Sequence, residues 1–263
     1  MLNIRDSKIL FINLKQSTER KIAMIKQLRN LKVDFDWITA IDGLKLKEEE
    51  YRKEVSDTMH IDINKLTPEY WTNKKNFRSY SSNEDNILPR VGCWLSHYKA
   101  IQTAFLNGYS SVLILEDDAI LQNNFMDDFE TPTNTDVLYF GGTFKRLDVY
   151  SEKDGANLID PNKLKLFGLF GYYIPTKEKI QHLFNFLKTT FKEGQGHYNI
   201  DYNKLDKRVI ACNIDKMLVD YTQKQGGSFY LLPIRISHPT FENDISTIDN
   251  SSKYKKRYGA SFN

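Results

Sequence analysis

Cysteine is scarce in this 263-residue chain: only Cys93 and Cys212 occur. Two cysteines give no disulfide framework, and their spacing is not the CxxC of a structural zinc site. An excess of one charge is missing too. Thirty-seven lysines and arginines face thirty-four acids, a formal balance of +3 that is too small to argue for nucleic acid. No apolar run approaches the ~20 residues needed to span a bilayer. The opening MLNIRDSKILFINLK is too polar for a secretory leader. These absences read as a soluble, cytoplasmic protein. One basic run, Lys253–Arg257 (KYKKR), leaves room for peripheral contact with a membrane or another anionic partner, or is a solvated end. Repeats and low-complexity linkers are also absent. What is present is 40% hydrophobic and 13% aromatic residues, enough for a substantial core.

The apolar pattern alternates between strand and helix. KILFIN (8–13) is a short buried run. Ser17 is placed to cap a helix, which Ile22, Ile25, Leu28 and Leu31 continue at helical spacing. VDFDWI (33–38) alternates as a strand does, and Asp42-Gly43 is a turn. The order β-α-β within forty residues predicts an α/β fold with parallel strands. Residues 45–85 are highly charged, with one short helix near 47–55, and are read as a lid or loop. Further elements are a helix from Arg90 to Leu106 closed by Asn107-Gly108, and strands at 111–115, 136–140 and 164–174. A helix capped by Thr176 runs to Phe191, another covers 214–223, and a late strand covers 229–232.

The third strand, SSVLIL, runs into Glu116-Asp117-Asp118. Ligands of open α/β sheets bind beyond the C-terminal strand ends, so these acids should line a crevice. In an extended segment Glu116 and Asp118 project to one side and can share a hard divalent cation, Mn²⁺ or Mg²⁺. The cation would relieve the repulsion of three adjacent acids and neutralise a leaving diphosphate. The competing reading is an acidic turn that caps a helix after Ala119 and holds no metal.

Neighbouring blocks bear on that choice. FINLKQSTERK (11–21), ITAIDG (38–43), VGCWLSHYKAI (91–101) and LILEDDAIL (113–121) follow one another in an order and spacing that resembles glycosyltransferase family 25. This family includes lipooligosaccharide galactosyltransferases and the galactosyltransferase domain that acts on collagen hydroxylysine. GYYIPTKEKIQHL (171–183), NIDKML (213–218) and SHPTFENDISTI (237–248) resemble its later blocks, with Pro175 departing from the small polar residue usual there.

The resemblance implies a GT-A type, Rossmann-like fold with a mixed, mostly parallel sheet flanked by helices. It implies a single glycosyltransferase domain over 1–263: a nucleotide-sugar-binding half (1–125), an acceptor-side half (126–250) and a basic C-terminal tail (251–263). The implied activity is inverting transfer of a hexose, commonly galactose, from a UDP-sugar to a hydroxyl of a glycan such as a lipooligosaccharide. Collagen-like hydroxylysine is the other acceptor, and a non-catalytic nucleotide-sugar binder is the other class.

By the same resemblance, Asn13, Leu14, Ala40, Asp42 and Gly43 would flank the nucleoside. Arg20 would approach the base or a phosphate, or is a surface arginine. Gly92, Ser96 and His97 belong to the donor pocket, His97 being otherwise a satisfied core histidine; Cys93 is read as core filler. Glu116 and Asp118 hold the metal, while Asp117 faces the sugar or braces the turn. Asp215 is the base that takes the acceptor proton, or a plain helix-start acid. His238 is a further metal ligand, or a loop histidine. Tyr172, Tyr173, Phe144 and Trp71 are aromatics that could stack on sugar rings.

Overall fold

The computed structural model describes residues 4–63, 88–144, 157–158, 166–192, 214, 218, 228–231 and 236–237. A seven-stranded sheet organises them. It contains β1 (Lys8–Asn13), β2 (Phe35–Thr39), β3 (Val112–Glu116), β5 (Thr135–Phe144), β6 (Asn157–Leu158), β7 (Leu166–Ile174) and β8 (Ser228–Leu231), in the order β2-β1-β3-β7-β5-β8-β6. Strands β2, β1, β3, β5 and β8 point one way; β7 and β6 run against them. The sheet is therefore mixed α/β and mostly parallel in strand direction, as the sequence implies. A small second sheet pairs β4 (Ile120–Leu121) with β9 (Ile236–Ser237).

Side chains alternate across the central strands, and each set faces a different layer. Ile9, Phe11, Leu113 and Leu115 pack with Met24 and Leu28 of α1 (Thr18–Leu31), and with Phe125 and Phe129 beyond β4. Leu10, Ile12, Val112 and Ile114 face the opposite layer, α2 (Glu49–Met59), α3 (Leu88–Leu106) and α4 (Lys177–Lys192). Both faces of β1 and β3 are covered, which is why KILFIN and VLIL are continuous apolar runs with no polar alternation. Fully burying one such side chain stabilises by about 1.5–3 kcal/mol.

Helix α1 ends at Lys32 in the left-handed conformation, and α2 at His60 in the same way. Ser17 sits at the N-cap of α1, but its side chain makes no capping bond. Thr176 does cap α4: its Oγ1 accepts from Lys179 N at 3.3 Å. Helix α2 lies in the stretch read as a lid. Val55 and Met59 are buried, and the Met59 carbonyl accepts from Gln102 of α3, so this part is a fixed layer of the core. Residues 64–87 of that stretch lie outside the described residues.

The chain leaves β1 on one side for β2, and then crosses to the other side of β1 for β3. Where the winding reverses, the C-terminal ends of β1 and β3 lie side by side, the place at which open α/β sheets hold ligands in a crevice. Ile12 stands opposite Glu116 in this register, so Asn13 and the acid triplet share the same rim.

Candidate active site

The acid triplet does not stay extended. Glu116 closes β3, and the Ala119 amide donates to its carbonyl at 3.2 Å, so Asp117 and Asp118 form a tight turn. No helix follows Ala119; β4 does. Gln27 of α1 clamps the exit, donating to the Ala119 carbonyl and accepting from the Leu121 amide.

The turn brings the two aspartates to one arginine and leaves Glu116 with a separate partner. Asp117 Oδ2 accepts from Asn13 Nδ2 at 2.7 Å, and Asn13 also donates to the Ser17 carbonyl at 3.0 Å. One amide thus ties the end of β1 to the turn after β3 and to the entry of α1. The guanidinium of Arg20 stands 3.4 Å from Asp117 Oδ1 and 3.5 Å from Asp118 Oδ2. Part of the charge relief that the sequence alone would assign to a cation comes from this arginine.

Burial pushes the Asp117 carboxyl above its ordinary range, and the charge of Asp118 adds to the rise; the Asn13 and Arg20 contacts pull the other way without cancelling it. A raised folded pKa means that the native state holds this proton where the unfolded chain has lost it. The group therefore imposes a penalty above its folded pKa, relieved as the pH falls through that value. Against Asp117→Asn, the wild type should lose relative stability as the pH rises from about 3 to about 7. Paired denaturant titrations across that range test it; a flat difference contradicts the assignment.

Arg20→Ala leaves two neighbouring carboxylates without their shared cation. The pair is partly solvated, so the cost should be about 1–2 kcal/mol, read as a fall in the urea midpoint.

Glu116 has a separate environment. His97, on α3 and almost fully buried, places Nε2 at 3.2 Å from Glu116 Oε1 and Nδ1 at 3.0 Å from Tyr172 Oη. Tyr172 is completely buried, and burial next to Glu116 and Cys93 raises its phenol well above the ordinary value, so the hydroxyl stays protonated. Cys93, one turn before His97, packs half-buried against the core. Cys93, His97 and Glu116 present ligand atoms within 4.8 Å of one another.

The loop after β2 forms the remaining wall. The Ala40 amide donates to the Asn13 carbonyl, and the Leu14 carbonyl accepts from the Ser17 amide. Asp42 accepts from Leu44 N and from Gln16 Nε2, and its own amide donates to Tyr51 Oη. Gly43 opens a short 3-10 turn, Gly43–Lys47. Ser96 Oγ accepts from the Ile41 amide at 2.8 Å and donates to the Gly92 carbonyl at 2.6 Å. Gly92 and Gly43 lie backbone against backbone: a Cβ on Gly92 would fall 2.6 Å from Gly43 N and from the Ile41 carbonyl oxygen. Both Gly92 and Ser96 therefore fix the loop to α3.

The structure thus gathers Asn13, Arg20, Asp117 and Asp118 on one rim, with Glu116 and His97 beside them and Ala40, Asp42 and Gly43 on the adjoining wall. Asp215, His238 and Trp71 lie outside the described residues, as does the side chain of Phe144. Tyr172 and Tyr173 have no face open to a sugar; both are core side chains, and Tyr172 instead orients His97. The roles of Gln27 and Tyr172 left no signal in the sequence, because each acts through a partner distant in the chain. Asn13 was legible as a strand-end polar residue, but its partner was not.

The family described as Glycosyltransferase family 25 (LPS biosynthesis protein) matches residues 6–203. A glycosyltransferase 25 family member of Aedes aegypti is 30% identical over 155 residues, covering 56% of this chain and 23% of that protein. A procollagen lysyl hydroxylase and glycosyltransferase of Acanthamoeba polyphaga mimivirus is 31% identical over 101 residues, covering 34% of this chain and 11% of that protein. A human protein named inactive glycosyltransferase 25 family member 3 is 28% identical over 165 residues, covering 58% and 24%. The chain spans about a quarter of the length of the mosquito and human relatives. With three quarters of its length matched, and with the strand-end acids, the Asn13 rim and the glycine-braced loop in one crevice, the chain belongs to glycosyltransferase family 25.

Proposed function

We propose that this chain transfers a hexose, galactose in the first instance, from a UDP-sugar to an acceptor hydroxyl with inversion. The observation that carries the proposal is the acid turn at the end of β3, set beside Asn13 and Arg20 at the point where the sheet winding reverses. What supports a hard divalent cation here is the ligand chemistry: Glu116 and Asp118 offer carboxylate oxygens on side chains that are 25% and 16% exposed. Mn²⁺ or Mg²⁺ held there would supply charge neutralisation for a leaving diphosphate. His238 is proposed as an additional ligand.

Asp117 is proposed to brace the turn through Asn13 and Arg20, in preference to facing the sugar. Asn13, Leu14, Ala40, Asp42 and Gly43 are proposed to border the nucleoside, with Gly92, Ser96 and His97 supporting the pocket from α3. Asp215 is proposed as the base that accepts the acceptor's proton. The 1–125 half then holds the donor and the 126–250 half the acceptor.

For the acceptor, a surface glycan is the primary proposal. Hydroxylysine of a collagen-like protein is the second, favoured by the likeness to the mimiviral procollagen lysyl hydroxylase and glycosyltransferase. The likeness to the human protein named inactive supports a non-catalytic binder as the competing class. Donor hydrolysis with Mn²⁺ separates the two: turnover that falls with Asp215→Asn supports transfer, and donor binding with no hydrolysis supports the binder.

No helix among the described residues is long and apolar enough to cross a membrane. Peripheral contact through Lys253–Arg257 is proposed only as electrostatic attraction to an anionic surface.

A further inference from the structure

Beyond the proposed donor site, we infer that Cys93, His97 and Glu116 form a second metal site, one that takes a borderline divalent cation such as Zn²⁺. A thiolate, an imidazole nitrogen and a carboxylate are the three donor types that Zn²⁺ accepts, whereas Mn²⁺ and Mg²⁺ favour an all-oxygen set. The three ligand atoms already lie within 4.8 Å of one another. The His97 Nε2 to Glu116 Oε1 separation of 3.2 Å is close to the edge of a tetrahedron built on bonds of about 2.1 Å. Cys93 and His97 are one turn apart on the rigid helix α3, and Glu116 is fixed at the end of a central strand.

The surroundings match those of a ligating histidine. Such a ring holds its other nitrogen against a hydrogen-bonding partner that sets the tautomer and the ring plane. Tyr172 Oη occupies that position, 3.0 Å from Nδ1. A hydroxyl can donate or accept, so without metal Nε2–H can donate to Glu116 while Nδ1 accepts from Tyr172, and with Nε2 on a metal Tyr172 Oη would accept from Nδ1–H. Metal binding would release the Cys93 thiol proton and place the His97 proton on Nδ1. Cys93 and Glu116 are partly exposed whereas His97 is not, so solvent reaches the cluster and can supply a fourth ligand. Zinc here would compete with the donor's cation for Glu116.

The site is tested on the full chain without any sugar donor, so the result is independent of the transferase reading. Titration of the reduced protein with Co²⁺ should give one equivalent bound, with a thiolate-to-cobalt charge-transfer band. The band should persist in Cys212→Ser, disappear in Cys93→Ser and be displaced by Zn²⁺. A second readout leaves the three ligands intact: in Cys212→Ser, stoichiometric Zn²⁺ should slow alkylation of the remaining thiol roughly tenfold or more. Absence of the band, its survival in Cys93→Ser, its loss in Cys212→Ser, or an alkylation rate unchanged by Zn²⁺ would each overturn the site.

Discussion

Asp118→Asn is expected to reduce Mn²⁺-dependent turnover of a UDP-hexose by about 100-fold or more, the scale at which preorganised charge at a developing anion operates. Asp118 lies in the turn after β3, paired through Oδ2 with Arg20 and reachable from the crevice. Asparagine keeps the shape and one oxygen but removes the charge that would draw in the cation. The fold should survive, because the turn is held by the Ala119 amide and by Gln27, neither of which involves the Asp118 side chain. Turnover and Mn²⁺ affinity measured together check the argument. Loss of turnover at saturating Mn²⁺ with unchanged Mn²⁺ affinity would place the cation elsewhere.

The second large effect is on stability. Gly92→Ala should cost about 3 kcal/mol or more, lowering Tm by roughly 6–12 °C in a chain of this size. Its Cβ would meet Gly43 N and the Ile41 carbonyl oxygen at 2.6 Å, and Gly43 Cα at 2.7 Å. All three are backbone atoms, so no side chain can swing aside. Either α3 or the loop has to move, and both are held by Ser96 between them. Gly43→Ala is tighter still, with a Cβ 2.0 Å from the Leu88 carbonyl oxygen. Gly108→Ala is the informative control. Its φ is +65° but the nearest atom is 3.7 Å away, so only the left-handed backbone penalty of about 1 kcal/mol applies. Thermal melts of the three variants should rank accordingly; equal losses at Gly92 and Gly108 would refute the steric account.

Much of the first half was legible because it is locally determined. KILFIN and VLIL are continuous apolar runs since the sheet is covered on both faces, and their ends place Asn13 and Glu116 on one rim. The order of the four blocks carried the family as far as residue 121. Legibility failed where contacts are long-range. LFGLFGYYI reads as a strand, yet nothing local tells that it inserts antiparallel between β3 and β5. Its Gly171 and the Gly141 of β5 are needed because Ile236 of β9 crosses over them: a Cβ on Gly171 would lie 2.3 Å from Ile236 Cδ1. The acids were expected to extend and share a cation on one side. The backbone instead turns after Glu116, which pairs with His97 while the two aspartates pair with Arg20. A spacing of two residues cannot distinguish a strand from a turn when the hydrogen bond that closes the turn is not yet known.

The ends of β1 and β3 are proposed to bind a nucleotide-sugar through a divalent cation. Calorimetry of the chain with UDP-galactose, UDP-glucose and related sugar nucleotides, with and without Mn²⁺, tests it most directly. Saturable one-to-one binding of at least one UDP-hexose is expected, dependent on Mn²⁺ and lost in Asp118→Asn. Absence of binding by every sugar nucleotide, or binding that is indifferent to both Mn²⁺ and Asp118, would contradict it.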